Sequence, residues 1–278
     1  MPPIFHLTTR AELEAARATG ELVPESVASQ GFTHCSFRDQ LVVIADAIFA
    51  SVEDLMILEL DPAAVGEVRV EAADPTIDAP VPPEQQFPHI YGPVPLIAIR
   101  REHRFPREAG GGYRLPPPLE ARARADAAAL EALLAAYAWY DHPEGPKFVE
   151  THRDAHRTNG HWLFVPGAIS AFHRVVNNEE LWLAQRGSLR IHVIDDAGRH
   201  TSQVLGLHVA GGEQPVIAVP QGVWQAAELV PGEPFAFGSN VCAPPFSFEA
   251  DGFELAERAP LIERFVAHAD LIARLTHG

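Results

Sequence analysis

Between His161 and Val241 the sequence breaks into about eight short β-type runs separated by turn residues, and no other feature constrains the fold as strongly. The runs are His161–Val165, Ser170–Arg174, Leu181–Ala184, Leu189–Ile194, Ser202–Val209, Pro215–Val219, Gln225–Leu229 and Phe235–Val241. The Asp195, Asp196, Ala197, Gly198 turn makes a hairpin of its neighbours. So many short strands at even spacing predict a closed barrel or jelly roll. Helices flank it: one over Leu119–Tyr140, and one from Pro260 whose apolar face includes Leu261, Phe265, Ile272 and Leu275.

The first half alternates helix and strand signals, which predicts a small α+β domain. Ile4–Leu7, Phe32–Cys35, Leu55–Leu60, Val68–Glu71 and Pro95–Arg100 read as strands. Thr9 and Glu12 form a capping box for a helix that Gly20 stops. Ser36 and Asp39 repeat the capping signature before an apolar helix over Gln40–Phe49. Between the halves, FPREAGGGYRLPPP at Phe105–Pro118 cannot continue a helix or a central strand. It reads as a connector, giving domains at 1–104 and 119–278 with a linker at 105–118.

The chain has 278 residues, enough for two domains, and 47% are apolar, enough for an ordinary core. A formal charge of −16 argues against nucleic acid or an anionic membrane as partner, since phosphates would be repelled. No secretory signal opens the sequence, and no apolar stretch approaches the ~20 residues of a membrane span. A cytoplasmic setting follows as the expectation, with Cys35 and Cys242 free and structural.

Three stretches of the second half carry a resemblance: PEGPKFVETHR at Pro143–Arg153, AFHRVVNNEELWLAQRG at Ala171–Gly187, and VPQGVWQAAEL at Val219–Leu229. Together with the closing FELAERAPLIERF they resemble the small cupins similar to dTDP-sugar epimerases, over Leu130–Thr276. Metal-binding cupins present two histidines one residue apart, a following glutamate and a third histidine. Here Ala171 stands at the first histidine position, His173 at the second, Glu180 at the glutamate and Gln225 at the last histidine. One imidazole, one carboxylate and one amide would hold a divalent metal weakly. The same groups suit a small polar or sugar-like ligand. His173 and Glu180 are the candidate proton carriers. Gln225 offers a donor and an acceptor, Trp182 and Trp224 flat faces, and Glu150 and Arg153 a mouth. In the opposing reading His173 and Glu180 pair inside the barrel and only satisfy buried polarity. His152, His156 and His161 are expected as exposed loop histidines, and His192 as one face of a strand.

In the first half, IFHLTTRAELEAA (Ile4–Ala16), GFTHCSF (Gly31–Phe37) and FPHIYGPVPL (Phe87–Leu96) resemble small bacterial domains with an ADP-ribosyltransferase-like fold. That resemblance implies NAD near His34 and Ser36, with His6, His89 and Tyr91 as further polar residues, and a glutamate assisting ribosyl transfer. Only Glu59 lies at a plausible point for that glutamate, and no glycine-rich phosphate loop is present. Three functions stay open: a cupin isomerase or epimerase, a non-catalytic metabolite-binding module, and NAD-dependent transfer in the first half. A homodimer is implied by the cupin resemblance.

Overall fold

The apolar run LMILEL is buried along its whole length because a strand pairs with each of its edges. In the computed structural model, which describes residues 1–73, 80–82, 85–249 and 252–277, this run is β4, Leu55–Leu60. It lies between β1 (Ile4–Thr9) and β8 (Ile99–Arg104), antiparallel to both. The described residues divide into two compact units, Met1–Asp126 and Ala127–Gly278.

In the first unit, α1 (Arg10–Thr19) starts and ends where its sequence signals place it. Thr9 and Glu12 form the reciprocal capping box, and Gly20 closes the helix at φ 86°, a left-handed conformation that only glycine adopts cheaply. Two short strands, β2 (Glu21–Leu22) and β7 (Val94–Pro95), pair with each other. The helix α2 (Glu25–Gln30) was not signalled by periodicity. A second sheet has the order β3 (Thr33–His34), β6 (Gln86–Ile90), β5 (Val68–Ala72).

The apolar helix differs at its start from expectation. Arg38–Gln40 form a 3-10 turn and α3 runs over Leu41–Ile48. Ser36 does not cap it, because its backbone is held extended by a two-way bridge to Phe5. The capping acceptor is Gln40 Oε1, which takes the Phe37 N–H at 2.8 Å. The strand expected at Pro95–Arg100 is displaced as well. Leu96–Ala98 make a 3-10 turn, and pairing begins at Ile99.

The segment expected as a linker is packed into the first unit. Phe105 and Tyr113 are buried with Leu41, Leu55, Ile57 and Leu119. The Tyr113 N–H donates to Asp46 Oδ1, and its hydroxyl lies 2.8 Å from the carbonyl oxygens of both Phe49 and Val52. The proline run initiates α4 (Pro117–Ala136), since a missing N–H costs nothing in a first helical turn. The boundary between the units falls within α4, after Asp126.

The second unit is two facing antiparallel sheets with helices. One sheet orders β16 (Val216–Val219), β13 (Glu179–Arg186), β18 (Ala236–Ala243), β11 (Thr158–Phe164), β10 (Lys147–Arg153) and β9 (Tyr140–Asp141). The other orders β15 (His200–Leu205), β14 (Leu189–Ile194), β17 (Trp224–Leu229), β12 (Ile169–Val175) and β19 (Phe253–Leu255). All eight anticipated runs are strands. The one expected over Ser202–Val209 stops at Leu205, and Val209–Gly211 form a 3-10 turn. Trp162, Trp182, Leu189, Ile191, Leu205 and Ile217 fill the space between the sheets. The helices α5 (Arg258–Arg264) and α6 (Ala269–Arg274) cover Phe172, Ile194 and Trp224 with Leu261, Phe265, Ile272 and Leu275.

Candidate active site

Residue alternation places the inward groups of the second unit. His173 on β12 faces Gln225 on β17 across the ladder, just past a register shift between Ser170 and His173. Glu180 sits on β13 opposite Cys242 of β18. His173, Glu180 and Gln225 are all buried. His173 and Glu180 line one cavity of about 50 Å³, together with His142, Glu144, Asn240 and the Phe253 ring stacked against His173.

Each carboxylate oxygen of Glu180 has an amide donor: Gln225 Nε2 at 2.6 Å and Asn240 Nδ2 at 2.8 Å. Gln225 Oε1 in turn accepts from Trp182 Nε1 at 3.1 Å. Gln225 therefore acts through Glu180 and is not among the residues lining the cavity. The tryptophans do not line it either. Trp182 belongs to the core between the sheets, and Trp224 to the core under α5 and α6, with Arg174 over its ring. Glu150 and Arg153 lie on the cavity lining. They form a bidentate pair at 3.1 and 2.7 Å, and Arg153 also donates to Phe246 O. Of the three histidines expected in a loop, only His156 is in one, exposed; His152 is exposed but lies within β10, bonded to Asp154, and His161 lies within β11 beside Ser239 Oγ. His192 is more than one face of a strand: its two ring nitrogens contact His200 and Glu228.

Two cavity residues carry no signal by periodicity. His142 and Glu144 lie in the HPEGP turn between β9 and β10. The turn is closed by the Gly145 N–H to His142 O and held on β12 by the Ala171 N–H to Glu144 O. Gly145 is required there. Its φ is +125°, and a Cβ would lie 2.3 Å from Ile169 O. The turn puts Glu144 Oε2 at 3.0 Å from His173 Nδ1 and Glu144 Oε1 at 3.5 Å from His142 Nδ1. His173 Nδ1 also lies 2.9 Å from the carbonyl oxygen of Ala171. A carbonyl only accepts, so Nδ1 carries the hydrogen and Nε2 is left with its lone pair.

Burial moves each of His142, Glu144, His173 and Glu180 toward its uncharged form, while Arg153, the cation on the lining, is paired with Glu150. Burial pushes the Glu144 carboxyl up to about 8 and the His142 imidazole down to about 3, His173 adding to the latter. Burial lowers His173, against the pull of Glu180. Burial also raises Glu180, with Glu144 adding to it and His173 and the amide donors opposing. A protonated carboxyl beside a neutral imidazole is an acid–base pair whose environments have moved the two groups in opposite directions.

These donors do not fit a divalent metal. Among the described residues no three His, Cys, Asp or Glu side chains are grouped to hold an ion. A methyl group stands at Ala171, both Glu180 oxygens accept from amides, and Glu144 lies on the Nδ1 side of His173.

In the first unit, His34, Ser36 and His89 line a pocket of about 760 Å³ together with His6. Tyr91 is not part of it, since its hydroxyl donates to Glu71, which also contacts His89. Glu59 is committed elsewhere. Arg122 grips it at 2.8 and 2.6 Å with His103 at 3.4 Å, and these contacts lower its carboxyl despite the opposing effect of burial.

Residues 131–256 match the family model described as Cupin superfamily (DUF985). The second half is a cupin domain. Residues 7–102 match a second family model, described as a protein of unknown function (DUF952). Comparison with curated proteins gives no match. Among solved structures, protein SO0799 from Shewanella oneidensis is similar at 25% identity and TM-score 0.50, over 53% of this chain and 96% of that one. A hypothetical protein from Leishmania major is similar at 24% identity and TM-score 0.48, over 53% and 98%. Protein CC0527 from Caulobacter crescentus has 27% identity and TM-score 0.37, over 42% and 98%. No helix among the described residues is long and apolar enough to cross a membrane.

Proposed function

We propose that the cupin domain binds a small polar, sugar-like molecule at the His173–Glu180 cavity and transfers protons on it, as an isomerase or epimerase does. One observation carries the reading. His173 Nδ1 is fixed by Ala171 O and Glu144, so its Nε2 is a neutral base in a cavity that also holds a protonated carboxyl. Nε2 takes the proton from a carbon next to a carbonyl, and the buried carboxyl of Glu144 is the acid that returns one. The cavity, at about 50 Å³, accepts the reacting end of such a molecule, with the rest leaving past Glu150 and Arg153. The protein works in the reducing cytoplasm, where the buried thiols of Cys35 and Cys242 stay free, and pairs as a homodimer through its cupin faces.

The test is deuterium uptake from D2O into a panel of keto-sugars and keto-sugar nucleotides, followed by proton NMR. Uptake should occur with the native chain and vanish in His173→Ala without change in fold. Equal uptake in that variant removes the proposal. A second reading, a non-catalytic binding module, is favoured by the amide donors that occupy both Glu180 oxygens. It requires a ligand that protects the protein against heat and is recovered unchanged.

A further inference from the structure

The pocket in the first unit differs in size and chemistry from the cupin cavity and calls for a different ligand. Its volume of about 760 Å³ lies in the range of sites for drug-sized molecules. Residues of β1, α1, α3, β3 and β6 line it. Its walls are mostly apolar, with Leu7, Ala16, Leu22, Ile44, Phe49 and Phe87 among them.

Polar groups cluster where β1 meets the bridge to Ser36. His6 Nδ1 donates to the His34 carbonyl at 2.8 Å, which leaves Nε2 as an acceptor. Burial holds that imidazole below its usual range, so it is neutral. Ser36 is 4% exposed and lines the pocket, yet its Oγ bonds to no protein group among the described residues. That hydroxyl faces the pocket and can give a ligand the hydrogen bond it would otherwise make to water.

Charge decides the ligand class. The charged side chains on the lining are Glu12 and Glu21, and no Lys or Arg is among them. The sequence from Val70 to Ile99 contains neither residue. A pyrophosphate placed here would meet carboxylates and no cation.

We infer that this pocket binds an uncharged, mainly apolar, ring-bearing molecule whose hydrogen-bond donor meets His6 Nε2 and Ser36 Oγ, and that it excludes dinucleotides. The NAD expected near His34 and Ser36 thus lacks a partner for its phosphates.

Two probes with one skeleton test this. N-phenyl-1-naphthylamine is neutral and carries one N–H; 1-anilinonaphthalene-8-sulfonate adds a single negative charge. Fluorescence titration of the full chain should give one saturable site for the neutral probe. The sulfonate should bind about tenfold or more weakly, the cost of bringing an unpaired anion into the pocket. Millimolar NAD should not displace the neutral probe. Ala47→Trp, at a half-buried lining position, should weaken it by about tenfold or more by filling the space. Ala15→Trp does the same from an exposed position, so one of the two variants reports on folded protein. Ser36→Ala should weaken it about threefold. Equal or tighter binding of the sulfonate, displacement by NAD, or indifference of the neutral probe to both tryptophan substitutions would each overturn the inference.

Discussion

Glu59 in the first unit and Glu144 in the second are buried to a similar degree, 5% and 7% exposed, and they end in opposite states. Glu59 is gripped at both oxygens by Arg122 and stays ionised. Glu144 has imidazoles for neighbours and holds its proton up to about pH 8. Burial alone therefore does not set the chemistry of an acid. The first arrangement ties a strand to a helix, and the second keeps a proton available for transfer.

The largest effect is expected at Glu59. Glu59→Gln leaves the Arg122 guanidinium half-buried without its counterion and should cost the first unit about 2 kcal/mol at pH 7. All four tryptophans, at 139, 162, 182 and 224, lie in the second unit, so their fluorescence should report no comparable loss there. Hydrogen exchange localises the destabilisation. A loss shared equally by both units would contradict the assignment. In the native chain the Glu59 carboxyl is lowered on folding. Its contribution is therefore present above the unfolded value near 4.5 and lost as pH falls through the folded one.

Glu144 carries the opposite sign. Its folded value exceeds its unfolded one, so its contribution is full below about pH 4.5 and is lost as pH rises toward 8. His142, lowered to about 3, contributes fully above about 6.5 and loses stability below that. Between ~4.5 and ~6.5 the two slopes cancel, because the unfolded chain holds one extra proton on the imidazole and one fewer on the carboxylate. Glu144→Gln should leave stability unchanged near pH 5 and raise the unfolding midpoint of tryptophan fluorescence at pH 8.5 by roughly 3 to 6 °C. A variant less stable than the native chain at pH 8.5 would mean that Glu144 is ionised and paired.

The smallest expected effect is at His142, which sits among Phe148, Phe246, Phe248 and Phe253. His142→Phe removes a buried nitrogen without a hydrogen-bond partner and should flatten the acid limb below pH 6.5, with a gain near neutrality of roughly 1 kcal/mol. An unchanged acid limb in that variant would assign the limb to other groups.

The cupin half was legible in the sequence because two packed antiparallel sheets leave a local trace: short runs at even spacing, each ended by turn residues. The positions of His173, Glu180 and Gln225 followed from ordered motifs. Trp182 does share the inward face of Glu180 but is packed between the sheets, and Trp224 did not follow for a reason visible in a strand's period of two. Trp224 and Gln225 are adjacent on β17 and must face opposite sides, so one residue facing the interior sends the other under the helices. Glu144 and His142 lie in an irregular turn, where periodicity says nothing. The available signal was an acid and a histidine two residues apart beside a glycine. The linker at 105–118 misled because glycine and proline mark a break in regular structure, which Tyr113 and Phe105 show can still be packed.

Carbon-13 NMR of the side-chain carboxyls reads the protonation state of Glu144 directly, with Glu144→Gln identifying the resonance. A glutamate carboxyl should remain protonated at pH 6.5 and titrate near 8. A resonance already in its carboxylate form at pH 5.5 would contradict it, and with it the uncharged acid–base pair on which the proposed proton transfer depends.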